Sequence, residues 1–407
     1  MITRYAKLVN RNFLLLLCAF PLFMPHWISL IAVVVFISGI AFIAASKQFD
    51  FQWNLFLALS AIVFPFIIAL LWTTNLNAGF NSIQVKLILL VLPFIFAFKA
   101  LQFSENEQKM SFFIFSLASA LVVLYTNLTI LLLGFTHPIG FQGADFTYSY
   151  RIALEHYSGL HPTYYCAIVY IAAFIRLYQL LFESKQNAWQ KYLGIAIILI
   201  CIAGGLAAAS RATFFAFLFI VIIALFTYLK KHPKRWLLAG IMGAGLAILF
   251  ATPMVQNRLT EVNAKNMEAP KGNNDNGTNV RSGIFACDIQ LLKKHWLVGV
   301  GTGDIQQALN ECLSQYDTHV YKQFNYNTHN EYLNNWLSTG LLGFMIFVSC
   351  LVFGLVQAVK SKNWLHLYFL VFMGISFVTE NYLDRAMGVT FFTLLQTLFY
   401  FKTLKPY

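Results

Sequence analysis

The sequence predicts an all-α, polytopic membrane protein of about twelve transmembrane helices with a helical periplasmic cap loop. Three observations predict this class: an extreme apolar composition, a series of apolar segments of spanning length, and one long hydrophilic insertion. Hydrophobic residues make up 59% of the chain and charged residues only 11%, whereas soluble domains average about 45–50% apolar and about 25% charged residues. Lipid is therefore the expected solvent for most of this chain.

The apolar segments are each close to the roughly 20 residues that cross about 30 Å of hydrocarbon. Nine of them fall in 1–252 and three in 336–407, and the hydrophilic loop 253–335 separates the two groups. The predicted spans are 12–27, 28–45, 54–73, 83–98, 111–135, 163–182, 192–209, 212–230, 236–252, 336–359, 364–379 and 388–403.

The distribution of charge predicts the orientation. With the N-terminus inside, the inner segments and their flanking span ends hold 17 of the 28 Lys and Arg residues but only four of the sixteen acidic residues. Because cytoplasmic loops are enriched in Lys and Arg, we expect an inner-membrane protein with both termini cytoplasmic and the 253–335 loop periplasmic. This bias accounts for the net charge of +12, so no nucleic-acid partner is expected.

The loop 253–335 is expected to form a small helical cap on the membrane domain. Apolar periodicity predicts helices over 280–295 and 304–313, and a third amphipathic stretch, 329–336, leads into the tenth span. The turn Gly299-Val-Gly-Thr-Gly303 lies between the first two helices. Without a preceding strand it is not a dinucleotide-binding fingerprint, and it is typical of a helix end followed by a tight turn.

Two cysteines lie on the first two cap helices. Cys287 and Cys312 would form a disulfide if these helices pack as a hairpin in an oxidising compartment, and the sequence leaves both states open. The other four cysteines fall in predicted spans as packing residues. No His, Cys and Asp cluster has the spacing of a metal site, and no cofactor is expected.

The candidate functional groups are ionisable side chains at the outer ends of the spans, where a charge is costly and needs a reason. Arg211 occupies the very short turn between the seventh and eighth spans, Arg281 begins the first cap helix, and His329 precedes the tenth span. Guanidinium groups bind phosphate in a bidentate manner, so this set suits a lipid-linked phosphate substrate. Further candidate substrate-binding residues are Lys86, Arg151, His161, Glu380 and Arg385. A structural ion pair is the alternative for Lys86.

The order of these features resembles the O-antigen ligase and polymerase superfamily of bacterial membrane glycosyltransferases. The resemblance is carried by His161-Pro-Thr-Tyr164, Ser210-Arg-Ala212, Arg281, Trp296-Leu-Val-Gly-Val-Gly301, and His329-Asn-Glu-Tyr-Leu333 followed by Gly340-Leu-Leu-Gly343. It implies a metal-independent, inverting transfer of a glycan from an undecaprenyl-diphosphate donor to an acceptor hydroxyl. The acceptor is lipid A-core in a ligase and a growing glycan in a polymerase, and the motifs leave both open.

The resemblance also implies roles for individual residues. Arg211, Arg281 and His329 would form the catalytic core, and Lys86 matches a further basic position. The arginines would neutralise the diphosphate as charge develops on it. His329 would either take the proton from the acceptor hydroxyl or only orient the acceptor.

A secondary transporter or lipid flippase is the alternative from a different class of membrane protein. Transporters commonly show internal repeats and polar groups near the bilayer midplane. This sequence has no matching halves, and its candidate groups gather at the outer ends of the spans. Both observations favour the enzyme.

Overall fold

The structure, a computed structural model, describes residues 2–134, 146–182, 187–231, 268–272 and 276–403, together with positions 240 and 243. Within these ranges the chain forms helices and turns with two isolated β-bridges. The helices are α1 (Ile2–Cys18), α2 (Pro25–Ser46), α3 (Trp53–Ser60), α4 (Phe64–Ile68), α5 (Leu76–Lys86), α6 (Ile88–Ala97), α7 (Glu105–Leu133), α8 (Phe146–Ser158), α9 (Pro162–Phe182), α10 (Ala188–Ala208), α11 (Arg211–Lys231), α12 (Gly277–His295), α13 (Ile305–Leu313), α14 (Val320–Gln323), α15 (Glu331–Lys360), α16 (Trp364–Ser376) and α17 (Ala386–Thr403).

Eight helical segments in the described part of the chain are long and apolar enough to cross a membrane. They coincide with predicted spans two to eight and ten: Pro25–Ser46, Trp53–Leu71, Leu76–Ala97, Glu105–Leu133, Pro162–Phe182, Ala188–Ala208, Arg211–Lys230 and Glu331–Lys360. Two shorter apolar helices, Trp364–Ser376 and Ala386–Tyr400, lie where the last two spans are predicted. The all-helical membrane class is therefore confirmed.

The count of twelve spans stays a prediction, as do the division at 252 and 335 and the orientation of the termini. The predicted ninth span, 236–252, lies outside the described residues except for two glycine positions, and so does most of 253–275. The predicted first span, 12–27, is wrong in its bounds. The helix there ends at Cys18, a 3-10 turn covers Phe20–Leu22, and α2 starts at Pro25. Proline is accepted in the first turn of a helix but disrupts a helix interior, so Pro21 and Pro25 divide the apolar run.

The cap helices are built around a small core of their own. Side chains of α12, α13 and α14 form this cluster: Val280, Ile284, Cys287, Leu309, Leu313 and Val320. A disulfide joins Cys287 to Cys312, whose Cα atoms lie 5.7 Å apart, so the bonded alternative is the one observed. Leu291 and Leu292 pack against Leu337 of α15 and join the cap to the membrane helices.

The helix α15 is interrupted at Gly340, whose φ of 73° and ψ of −173° are not helical. In a continuous helix the Leu341 amide would donate to the Leu337 carbonyl. Here the turn after α12 takes both groups. The Val300 amide donates to the Leu337 carbonyl at 2.7 Å, and the Leu341 amide donates to the Leu297 carbonyl at 3.1 Å. A Cβ atom on Gly340 would lie 2.3 Å from the Leu297 carbonyl oxygen, so this junction requires glycine.

The glycine-rich turn is confirmed as a helix end, and it also docks the cap. The Gly299 amide donates to the His295 carbonyl at 2.8 Å and closes α12. On the far side of the turn, the Asp304 carboxylate accepts from the Thr74 amide at 2.7 Å, the Thr74 hydroxyl at 2.9 Å and the Asn75 amide at 2.8 Å. The turn therefore connects the cap both to α15 and to the loop before α5.

Candidate functional site

A cavity of about 1110 Å³ lies between the start of α11, the start of α12 and the segment that precedes α15. Arg151, Arg211, Arg281 and His329 all line it, and none of the described residues in its wall is acidic. We call it the arginine cavity. The three residues expected to form the catalytic core thus share one cavity although the chain separates them widely, and Arg151 of α8 joins them.

Arg211 reaches the arginine cavity because a two-residue turn links α10 to α11. α10 ends at Ala208, Ala209 adopts a left-handed conformation with φ of 51°, and Arg211 opens α11. The first amide groups of a helix lack intrahelical acceptors, and a helix N-terminus carries partial positive charge. Ser210 and Ala212 also line the cavity, so the positive end of α11 borders the cavity beside the guanidinium, an arrangement suited to an anion.

Arg281 lies in the first turns of α12, and several contacts hold this helix start in place. The Asn276 side chain caps α12 by accepting from the amides of residues 278 and 279. The Tyr321 hydroxyl donates to the Val280 carbonyl at 2.7 Å. A Cβ atom on Gly283 would lie 2.2 Å from that same hydroxyl, so Tyr321 packs directly on the helix. The direction in which Arg281 leaves the helix therefore depends on the packing of the cap.

A second cavity of about 560 Å³ adjoins the first. The two share Phe324, Tyr326 and His329. The second cavity is also lined by His161, Glu380, Asp384 and Arg385 and by the amide side chains of Gln306, Asn325 and Asn327. His329 therefore stands in the wall between two cavities of different chemistry.

The imidazole of His329 is oriented by Glu380, whose Oε2 lies 3.3 Å from His329 Nδ1. The Glu380 side chain is only 3% exposed. Burial opposes its ionisation, but the hydrogen bond from His329 and, in the acid range where Glu380 titrates, the charges of His329 and His161 outweigh burial, and the pKa of Glu380 falls to about 2. The charge of Arg281 acts in the same direction. A carboxylate at this position favours the tautomer with a proton on Nδ1, which leaves Nε2 free to accept one.

The motif around His329 fixes the backbone of the site. His329 has a φ of 45°, and its amide donates to the Asn327 side chain at 3.0 Å. Asn330 caps α15, and the fully buried Glu331 accepts from the Leu383 amide at 2.8 Å. These contacts tie the start of α15 to the loop that carries Glu380.

Lys86 lines neither cavity. Its side chain is 1% exposed, and its Nζ lies 2.6 Å from Asp384 Oδ1 and 4.5 Å from the ring centroid of Phe66. Asp384 also accepts from Asn334 at 2.7 Å and lines the second cavity. The structure therefore places Lys86 behind the site, in an ion pair with Asp384. This is the structural ion pair named above as the alternative for Lys86.

His161 and Arg385 both line the second cavity. Burial lowers the pKa of His161 to about 4, so the ring is neutral near pH 7. The Thr163 amide donates to His161 Nδ1 at 3.4 Å, so the proton is on Nε2. Seven of the eight predicted site residues line one or both cavities. The arginine cavity has Arg151, Arg211, Arg281 and His329, and the second cavity has His161, His329, Glu380 and Arg385.

Sequence reasoning missed the wall that the two cavities share. Phe324 and Tyr326 lie in the irregular segment before His329, where no periodicity singles them out. The position of Tyr326 three residues before His329 is the only signal. Gln306 and Asn325 were also missed because surface amides are ordinary in a hydrophilic loop.

Residues 196–348 match a protein-family model described as O-Antigen ligase. The match supports, over this part of the chain, the predicted resemblance to the O-antigen ligase and polymerase superfamily. Together with the apolar helices, the match supports a membrane enzyme of the O-antigen ligase and polymerase type. A search of curated proteins gave no match to the chain.

The part that matches the O-antigen ligase family contains Arg211, Arg281 and His329 and ends within α15. Arg151, Glu380 and Arg385 lie outside it, so only their positions in the two cavities connect them with the candidate site. In the described part of the chain, no group of three or more His, Cys, Asp or Glu side chains could hold a metal ion.

Proposed function

We propose that this chain is an O-antigen ligase-like glycosyltransferase that moves a glycan from an undecaprenyl-diphosphate donor to a hydroxyl of lipid A-core. The transfer would occur at the periplasmic face of the bacterial inner membrane, without a metal, and with inversion at the anomeric carbon. The observation that carries the proposal is the position of His329 between an arginine-lined cavity and a cavity rich in carboxylate and amide groups.

The donor diphosphate binds in the arginine cavity. Arg151, Arg211 and Arg281 supply guanidinium groups that can hold phosphate oxygens in bidentate fashion. The start of α11 adds backbone amides and the positive end of a helix. Together these groups stabilise the charge that grows on the diphosphate as it leaves.

The acceptor enters through the second cavity, and His329 acts as the general base. The acceptor oxygen attacks the anomeric carbon of the donor sugar, and the bond from that carbon to the diphosphate oxygen breaks. The hydroxyl proton passes to His329 Nε2, and undecaprenyl diphosphate leaves with the bonding electron pair. Glu380 holds the Nδ1 proton and stabilises the imidazolium that forms. If His329 only orients the acceptor, the contact with Glu380 would fix the orientation of the imidazole ring.

The test is glycan profiling of a strain that lacks this chain, with and without the chain restored. A ligase predicts loss of polymer from lipid A-core while lipid-linked polymer accumulates. If lipid A-core instead carries single repeat units, the chain is a polymerase, and the acceptor in the second cavity is a growing glycan. Unchanged polymer on lipid A-core would contradict both.

A further inference from the structure

The C-terminal end of α12 forms an exposed segment of mixed character that the proposed reaction does not use. Six consecutive residues, 293–298, are exposed, and we call them the interfacial segment. Lys293, Lys294 and His295 form its polar half. Trp296, Leu297 and Val298 form its apolar half and are 50%, 59% and 49% exposed.

The structure sets the depth of this segment relative to the bilayer. Leu297 accepts a hydrogen bond from the Leu341 amide, and the Trp336 indole donates to the Trp296 carbonyl at 2.8 Å. Lys360 is the first charged residue after Glu331 on α15, and roughly 30 Å of hydrocarbon counted back from Lys360 at about 1.5 Å per residue spans about 20 residues. The hydrocarbon region therefore begins near Leu341, and Leu297 lies at its edge.

The apolar half continues a surface that faces lipid. On α15, Leu342 is 63% exposed and Met345 is 48% exposed, as expected for side chains in contact with acyl chains. Trp336 stacks on Phe344 at a centroid distance of 4.7 Å. Aromatic rings of this kind are favoured at the membrane–water boundary.

The polar half stands at the height of the lipid headgroups. Lys293 and Lys294 directly precede the apolar turn, and long lysine side chains reach the headgroup layer while their stems stay apolar. No carboxylate in the described ranges lies within ion-pair distance of either one. Basic residues beside an apolar anchor are attracted to anionic phospholipids.

We propose that the interfacial segment is a binding site for anionic phospholipid headgroups that fixes the cap to the bilayer. The apolar turn inserts at the hydrocarbon edge, and the two lysines contact the phosphates above it. α12 then has one end held by lipid and the other end at the arginine cavity, where it carries Arg281. This inference does not depend on the proposed glycosyl transfer.

Depth is tested by a spin label on a Leu297→Cys variant of the full chain in lipid nanodiscs. We expect the label to collide readily with oxygen and poorly with a water-soluble nickel chelate. A label on Lys322→Cys, an exposed cap position, should show the reverse. A label at position 297 with the accessibility pattern of position 322 would overturn the proposal.

The lipid preference is tested by melting the protein in nanodiscs of phosphatidylcholine with and without phosphatidylglycerol. The double variant Lys293→Gln, Lys294→Gln should lose about a third or more of the melting-temperature gain that phosphatidylglycerol gives the wild type. The matched variant Lys271→Gln, Lys322→Gln removes the same charge from exposed cap positions and should keep the full gain. Equal gains in all three proteins would mean that the lysines only complement the end of α12, and the proposal would fail.

Discussion

The two cavities that meet at His329 differ in charge. Three arginines line the arginine cavity, and none of its described wall residues is acidic. The second cavity mixes Glu380, Asp384 and Arg385 with neutral amides. A wall of guanidinium groups suits a dianionic leaving group, whereas carboxylates and amides suit hydroxyl groups that must be held and deprotonated.

This difference in charge indicates which kind of substrate group each cavity suits. Here the guanidinium groups and the carboxylate and amide groups lie in neighbouring cavities that share Phe324, Tyr326 and His329. The variants below test whether the two cavities have separate roles.

Loss of His329 should have the largest effect, because it serves both cavities. We expect His329→Ala to lower kcat by about 10²- to 10⁴-fold, the range for removal of a general base. The measurement is transfer of a labelled lipid-linked glycan in nanodiscs, with a melting curve to check folding. His26→Ala, at an exposed position, is the control. A loss below tenfold in a folded protein would argue that His329 only orients the acceptor.

Arg211→Lys should come next, and its effect should be confined to the donor. The ammonium keeps the charge but cannot form the bidentate contact, so we expect kcat/KM for the donor to fall about tenfold, or about 1.4 kcal/mol. The KM for the acceptor should not change. Arg4→Lys, on the exposed face of α1, is the matched control. A rise in acceptor KM alone would contradict the assignment of the arginine cavity.

Glu380→Gln should lower kcat roughly 10- to 100-fold through His329, with little change in donor KM. It also has a signature in stability. The folded pKa of Glu380, about 2, lies below its ordinary value of 4.5. Its stabilising charge is therefore present above about pH 4.5 and is lost as the pH falls toward 2.

Melting curves from pH 7 to pH 2 check this. The wild type should be more stable than Glu380→Gln near neutrality, and the difference should shrink below pH 4.5. Glu311→Gln, on the exposed side of α13, should show no such convergence. Parallel curves for wild type and Glu380→Gln would show that the charge of Glu380 does not stabilise the folded protein.

The smallest effect is expected on the acceptor side. Asn325 accepts from Asn310 at 3.1 Å, and its own amide nitrogen is directed to no described acceptor. Asn325→Ala should raise acceptor KM about two- to tenfold, the equivalent of one neutral hydrogen bond, and leave donor KM unchanged. Gln323→Ala, two residues away and outside both cavities, should behave as wild type. Equal effects of both would show that the segment is simply exposed.

Much of the membrane fold was predictable because lipid imposes a simple rule on sequence. Eight predicted spans coincide with apolar helices, since a spanning segment must satisfy its backbone internally and remain apolar over its length. The first span failed because hydropathy does not register Pro21 and Pro25 as helix breaks. The break at Gly340 was also not predicted, because it depends on hydrogen bonds from a turn forty residues earlier.

The candidate site was also only partly predictable from the sequence. Arg211, Arg281 and His329 stood out because charged groups at a membrane boundary are costly, and their motifs resemble a known superfamily. Lys86 stood out for the same reason, yet it lies behind the site in an ion pair with Asp384. Cost alone identifies a charge that needs a partner, and it does not say whether that partner is substrate or protein.

The sequence by itself determined the solvent of this protein, the positions of most spans, the cap helices and the residues that carry charge at the boundary. These follow from local composition and periodicity, which each segment carries without reference to any other. Only the tertiary structure decided that Arg151 joins the arginine cavity, that Glu380 contacts His329, and that His329 lines two neighbouring cavities. Such facts depend on segments far apart in the chain, whose distances are set by packing and backbone hydrogen bonds.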